Sequence, residues 1–286
     1  MAKLVVIGAL ALDRPVRLSG PPGPGARLMG TSLDGVLAGR LGGGGANAAV
    51  ALARAGHHVR LVSTVADDED GGQAVAFAQA AGLDTGLIQR RPGGSRRTLI
   101  FIDPTGERLV LSLDPGPLVL PSLPPPSGDE IEGLYVRTPY PGAADWAEAC
   151  CGPVVAHWPC PGFAGPCDVL VASADDCDAP TLAEPFRAGR AQVGVRLSAF
   201  VITHGGGVVV AHGERGEVRV EPSPAPVLDA TGAGDVFAAG LLDALTHGAG
   251  LEPALVHACA WGAIAVGLES SAPTTGVFPA FRPDAP

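Results

Sequence analysis

Short apolar runs recur along the chain, separated by stretches of helical length. Leu4 to Ile7 is the first; it ends at Gly8 and reads as a buried strand. Ala46 to Ala55 is helical in composition, with Gly56 placed to end it. Val59 to Val65 returns as a strand, and Gln73 to Ala81 predicts a second helix closed by Gly82. Leu134 to Val136, Val154 to Ala156 and Val169 to Ala172 predict short strands with helix-length spacers between them. Phe200 to Thr203, Val208 to Ala211 and Val218 to Val220 follow with Gly-rich turns, and two helices, about 233–247 and 252–267, close the chain. This alternation predicts an α/β fold, a doubly wound, mostly parallel sheet with helices on both faces.

Two regions break the rhythm. Segment 14–41 is rich in Gly and Pro and is expected to loop out from the core. Thr98 to Asp103 and Arg108 to Leu113 are β-rich runs around Pro104-Thr105-Gly106, a predicted hairpin, followed by a proline-laden connector from Pro115 to Pro126. Together 14–41 and 98–113 are expected to form a small β lid on a single domain spanning 1–286. An open lid sheet exposes strand edges that a second lid would cover, so a homodimer is expected, with a monomer the alternative.

Apolar residues make up 47% of the chain and charged ones 17%, enough for a core and too apolar for disorder. The net charge of −10 argues against a nucleic-acid partner, although helix N-termini and a divalent metal can still hold one nucleotide. Lys3 is the only lysine, which excludes P-loop and protein-kinase chemistry. Met1 to Leu10 lacks signal-peptide features, no run is long enough to span a bilayer, and the six cysteines form no C-x-x-C pair. A cytoplasmic protein with free thiols and no membrane partner is the expectation.

Candidate chemistry starts with Asp229-Ala230-Thr231-Gly232-Ala233-Gly234-Asp235, which leads into a helical run. Small residues there leave backbone N–H groups open to phosphate oxygens, and Asp235 at the mouth could take a proton from an attacking hydroxyl. Alone, the segment equally reads as an N-cap, two turn glycines and a first-turn acid. Gly42-Gly43-Gly44-Gly45-Ala46-Asn47 also opens a helix, with glycines permitting close approach and Asn47 offering both donor and acceptor. A flexible loop ending a lid would look similar.

Taken in order, the two segments resemble the ribokinase-like, or PfkB, family of carbohydrate and nucleoside kinases. Gly42-Gly43-x-Gly45-Ala46-Asn47 running on to Asp67-Asp68-x-x-Gly71 is similar to its N-terminal signature, and Asp229 through Gly240 to its C-terminal one. The resemblance implies that ATP, with Mg²⁺, phosphorylates a sugar-like or nucleoside-like acceptor lying between lid and sheet. It implies Asp235 as catalytic base with Gly232, Ala233 and Gly234 as its anion hole. Asp13, Gly42, Gly43 and Asn47 match acceptor contacts, and Thr203 and Gly205 a turn beside the nucleotide. Asp229 and Thr231 look like part of the K⁺ site that some members have, and Thr231 adjoins the nucleotide.

The chain also departs from that pattern. Ala11 stands where ribokinases have Asn, and Gly44 where a lysine is usual. Ser173-Ala174-Asp175-Asp176 aligns with an Asn-x-x-Glu linked to Mg²⁺, which leaves Asp176 as the metal-side acid. Cys259 replaces a common Asn near the adenine, with Trp261 close by. Arg137 follows the strand 134–136 where a Glu tends to face the sugar; it would suit an anionic acceptor such as a sugar acid or sugar phosphate, or else reads as a solvated or structurally paired arginine. His57 and His58 are expected to be exposed after a helix, and Asp67-Asp68-Glu69-Asp70 to be a solvated loop, although the family resemblance implies that it leads into a helix near the site. Rival readings are a non-catalytic binding protein on the same fold and a vitamin-precursor kinase, which usually lacks a β lid; an NAD-dependent dehydrogenase is a distant third.

Overall fold

The computed structural model describes residues 1–33, 38–105, 108–113, 122–123, 130–138 and 140–283. Residues 34–37, Gly106, Pro139 and nearly all of the Pro115–Pro126 connector lie outside the described residues.

The first half comprises β1 (Lys3–Ile7), β2 (Ala11–Leu18), β3 (Gly30–Ser32), β4 (Arg40–Gly42), α1 (Gly44–Arg54), β5 (His58–Ala66), α2 (Glu69–Ala80), β6 (Ile88–Arg91), β7 (Arg97–Ile102) and β8 (Arg108–Leu113). The second comprises β9 (Gly133–Val136), α3 (Ala143–Ala149), β10 (Val154–His157), β11 (Val169–Ser173), α4 (Ala179–Ala183), α5 (Pro185–Val193), β12 (Ala199–Thr203), β13 (Val209–Gly213), β14 (Gly216–Val220), α6 (Ala233–Thr246) and α7 (Leu251–Val266).

Nine strands form one sheet in the order β14-β13-β12-β11-β10-β9-β1-β5-β6. From β6 to β12 every pairing is parallel, and only the β13–β14 edge runs antiparallel. Central strands such as β1 and β9 are apolar on both faces because helices cover both. Helices α1, α2, α6 and α7 pack on one face, and α3 and α5 on the other. Trp146 on α3 and Trp261 on α7 are fully buried, each removing a large apolar surface from water, about 25 cal/mol per Å².

Strand order reverses between β1 and β9. From β1 the chain builds outward to β5 and β6, then returns to add β9 onward on the opposite side. At such a switch point the flanking connections part and leave a crevice at the carboxyl ends of the strands. Arg137 leaves β9 at this place, its amide bonded to the Ile7 carbonyl at 2.8 Å. The N-terminal turn of α1 opens there too, with the Ala46 amide on the Ala9 carbonyl at 3.2 Å.

The small sheet runs β3-β2-β7-β8, with β4 on the other part of β2. Its β7–β8 pair is the antiparallel hairpin that the sequence predicts, in register from Arg97↔Leu113 to Ile102↔Arg108. Segment 14–41 is more ordered than a loop, since it contributes most of β2 together with β3 and β4.

Two expectations are corrected. His57 is buried, not exposed: its Nε2 lies 2.7 Å from Asp243 Oδ1, and its Nδ1 accepts the Ala2 amide. The acidic run is no solvated loop. Asp68 caps α2 through the Gly71 amide at 2.8 Å, so the helix begins four residues before Gln73, and Asp70 pairs with Arg14 and Arg97. Among the described residues no helix is long and apolar enough to cross a membrane.

Candidate active site

Helices α1 and α6 pack side by side and bring their N-termini to the switch point. Gly232, at φ 79°, precedes the first turn of α6, and no side chain caps that turn. A β-carbon at Gly232 would stand 2.6 Å from the Ser271 carbonyl and 2.7 Å from Asn47 Nδ2, so glycine is required sterically as well as conformationally. Above Gly234 the space is open. An uncapped first turn facing open space, with the positive end of the helix dipole behind it, fits an anionic phosphate group.

Asp235 sits in that first turn, nine-tenths buried. Arg137 Nε donates to its Oδ1 at 2.6 Å, and Asn47 Nδ2 donates to its Oδ2 at 2.9 Å. The carboxylate is therefore fixed at both oxygens, each with a lone pair to spare. Asn47 Oδ1 is buried without a partner, an acceptor left over for an incoming donor. Burial works against the charge of Arg137, but the adjacent Asp235 carboxylate outweighs it and holds the guanidinium above its ordinary range.

Gly44 makes the Arg137–Asp235 pair possible. A β-carbon there would meet Arg137 Cγ and Nε at 2.8 Å and Asp235 Oδ1 at 2.9 Å. The guanidinium thus crosses the space that any side chain at position 44 would fill.

Beneath the pair stand two residues that the sequence reading missed, Tyr135 on β9 and His157 on β10. Burial, reinforced by the Arg137 charge, pulls the His157 pKa down to about 4, so the ring is neutral near pH 7. Burial raises the Tyr135 phenol well above its usual range. Asp176, half exposed after β11, has an oxygen 4.0 Å from His157 Nε2. Inward positions at strand ends were the available signal for both residues.

Asp13 on β2 is buried against Gly42, where its carboxylate leaves no room for a side chain. Burial raises its pKa, partly countered by a hydrogen bond to Ser271 and the charge of Arg40. Gly43 closes the turn into α1 against the Ala9 carbonyl. Asp13, Gly42, Gly43, Asn47, Arg137 and Gly232 to Asp235 are thus brought together around one crevice.

The expected nucleotide residues lie further off. Thr203 and Gly205 stand at the end of β12, with β10 and β11 between them and β9, and the space at Gly205 and Gly206 is open. Cys259 is buried in the core on α7, and Trp261 packs on Gly240 and Phe278 instead of lining a crevice. Thr231 donates its amide to Asp229 Oδ1 at 2.8 Å. Asp229 does not offer the site expected for a metal cation, because the Arg40 guanidinium is bound to its other oxygen. With the guanidinium already on those oxygens, the place does not fit K⁺. Asp176, exposed and acidic beside the crevice, does fit a hydrated Mg²⁺.

The family model described as pfkB family carbohydrate kinase matches residues 2–117 and 170–275, more than half of the chain. Three solved structures share the fold. A ribokinase from Cryptococcus neoformans var. grubii serotype A in complex with ADP superposes with TM-score 0.74 at 22% identity, covering 98% of this chain and 97% of that one. A ribokinase from Thermotoga maritima gives 0.71 at 19% identity, covering 98% and 97%. A nucleoside kinase from Burkholderia thailandensis in complex with inosine gives 0.68 at 19% identity, covering 96% and 92%.

Proposed function

The chain belongs to the pfkB family of carbohydrate kinases, and from that premise we propose that it transfers the γ-phosphoryl group of ATP to a hydroxyl of a sugar-like or nucleoside-like acceptor. The observation that carries this reading is the Asp235 carboxylate, fixed by Arg137 and Asn47 at the mouth of the uncapped α6 N-terminus. ADP in a ribokinase of the same fold supports ATP as donor.

In this reading Asp13 and Asn47 hold the acceptor hydroxyls, and Asp235 receives the proton of the attacking one. The acceptor oxygen bonds to the γ-phosphorus as the bond to the bridging oxygen of ADP breaks. Amides of 232–235 face the equatorial oxygens, where negative charge gathers in the transition state. Mg²⁺, held by Asp176 through water, would supply further neutralisation on the phosphates. The nucleotide would run from that cradle toward the open turn at 203–207. His157, kept neutral, adds no charge that competes with Arg137 for Asp235.

The small sheet acts as the lid over the acceptor, excluding water so that hydrolysis of ATP is suppressed. Its presence favours a sugar or nucleoside kinase over a vitamin-precursor kinase. The strand β8, which ends the small sheet among the described residues, exposes Leu109, Val110, Leu111 and Leu113, each between 44% and 50%. A second copy of this chain is the natural cover.

The test is acceptor-dependent ADP release from ATP and Mg²⁺ across sugars, sugar acids, sugar phosphates and nucleosides, with Asp235→Asn run beside the wild type. Turnover with at least one acceptor, reduced about 10²- to 10⁴-fold in the variant with its melting temperature kept, is expected. An acceptor that stabilises the protein thermally but never raises ADP release would turn the assignment to a non-catalytic binding protein.

A further inference from the structure

Arg40 begins β4, opposite Asp13 of β2 in the small sheet, but its side chain leaves that sheet. One terminal nitrogen donates to the Glu269 carbonyl at 2.6 Å. The other donates to the Asp229 carboxylate and to the Ser271 hydroxyl, the latter at 3.2 Å. The ion pair is well buried, with the two side chains 16% and 4% exposed.

The acceptors are a carboxylate, a main-chain carbonyl and a hydroxyl, drawn from two loops far apart in sequence. Oxygens of mixed type converging on one positive charge are what a hard monovalent cation would also take. The guanidinium satisfies them with directed N–H donors instead. Its charge reaches the anion hole through Asp229, whose remaining oxygen accepts the Thr231 amide immediately before Gly232. The Ser271 loop touches the same place, since its carbonyl bounds the space at Gly232.

We propose that Arg40 is a built-in substitute for a monovalent cation, tying the 229–231 and 269–271 loops together so that this protein neither binds nor needs K⁺. A second cation at the same oxygens would meet both occupied acceptors and like-charge repulsion. The arrangement has a consequence that a free ion lacks. Arg40 is carried by the strand paired with Asp13, so the charge ordering the α6 turn is tethered to the acceptor side of the crevice. Arg40 is a positioning residue, acting on the anion hole through Asp229.

The kinetic half of this proposal rests on the kinase reading; the binding half does not. Thermal melts of the wild type are therefore run in K⁺, Na⁺ and tetramethylammonium chlorides at equal ionic strength, alongside thallium-205 NMR with Tl⁺ as a K⁺ probe. Equal melting temperatures and no saturable Tl⁺ signal are expected. A specific ion at well above its dissociation constant would instead raise the midpoint by a few degrees, roughly 2–8 °C, and that result would overturn the proposal.

Arg40→Met is then expected to melt lower, to lose acceptor-dependent turnover, and to regain both with K⁺ or with millimolar guanidinium, but not with tetramethylammonium. A folded Arg40→Met that is unimpaired without any cation, or impaired and rescued by neither, would also overturn it. If that variant does not fold, the wild-type melts and Tl⁺ titration decide alone. Should no acceptor support turnover, the kinase reading fails while the melts still judge the cation substitution.

Discussion

Gly44→Ala separates catalysis from folding in a way the structure makes quantitative. The new methyl group would sit 2.8 Å from Arg137 Cγ and Nε and 2.9 Å from Asp235 Oδ1, distances that ordinary contacts do not reach. Something must move, and the side chain free to do so is Arg137, which is 34% exposed while Asp235 is 10% exposed. Swinging it away removes a charge-assisted hydrogen bond from the base. Such bonds contribute about 1.5–3 kcal/mol; discounted for the exposure of Arg137, about 1–2 kcal/mol is at stake. At about 1.4 kcal/mol per decade this is a roughly 5- to 30-fold fall in kcat.

The same substitution favours the helix, because Gly44 is the first residue of α1 and alanine there gains up to about 0.5–1 kcal/mol of backbone entropy. The melting temperature is therefore expected to hold or rise slightly while turnover falls. Kinetics and melts of Gly44→Ala, Arg137→Ala and the double variant test the cause. Once Arg137 is gone, most of the obstruction at position 44 is gone, so Gly44→Ala should cost little more in that background. Equal losses in both backgrounds would refute the argument that the methyl group acts by displacing Arg137.

Three further outcomes follow from named contacts. Arg137→Ala should lower kcat more than it raises KM, because the guanidinium serves the base; a change confined to KM for an anionic acceptor would return Arg137 to substrate binding. Asp243 is fully buried and accepts from His57, His257 and the Phe281 amide, so Asp243→Asn turns an amide N–H toward a donor and should destabilise by about 3 kcal/mol in urea melts. Hydrogen bonds to those histidines hold the Asp243 carboxyl well below its ordinary range despite burial, so its contribution is complete above the unfolded value of about 4 and lost as pH falls beneath it. The stability gap between wild type and variant should accordingly shrink as pH falls below about 4; a gap undiminished at about pH 2 would contradict it. Finally, sedimentation should give a dimer of the 28.6 kDa chain that Leu109→Glu with Leu111→Glu converts to monomer, whereas a monomeric wild type would refute lid pairing.

The periodic part of the fold was legible because parallel strands buried on both faces, as in β1, β5 and β9, are written as short, mostly apolar runs. Boundaries failed where polar residues had partners distant in sequence. Asp68 looks like a loop acid until Ser95 and the Gly71 amide are seen around it, and Gln89 and two arginines hide β6. His57 misleads for the same reason, since the carboxylate that justifies its burial lies 186 residues away. The site glycines and acids were visible as motifs, yet their pairing was not. Gly44 and Arg137 read as two separate departures, whereas the structure makes them one: the positive charge expected at 44 arrives from 137, across the space Gly44 leaves open. Arg40, lost in a Gly- and Pro-rich stretch, gave no sign of reaching Asp229, 189 residues on.

These pairings answer a question that the composition raises. A chain of net charge −10 with Asp13, Asp229 and Asp235 gathered at one crevice should repel a polyphosphate. The charge of each acid is countered, two by an arginine and one by burial. Asp229 is bound by Arg40 and Asp235 by Arg137, while burial holds Asp13 toward its neutral form. What faces the open space above Gly234 is then the N-terminal end of α6, with its dipole and a glycine N-cap that carries no side chain. The two arginines thus do the same work from opposite sides, one behind the anion hole and one on the base, and removing either should weaken anion affinity.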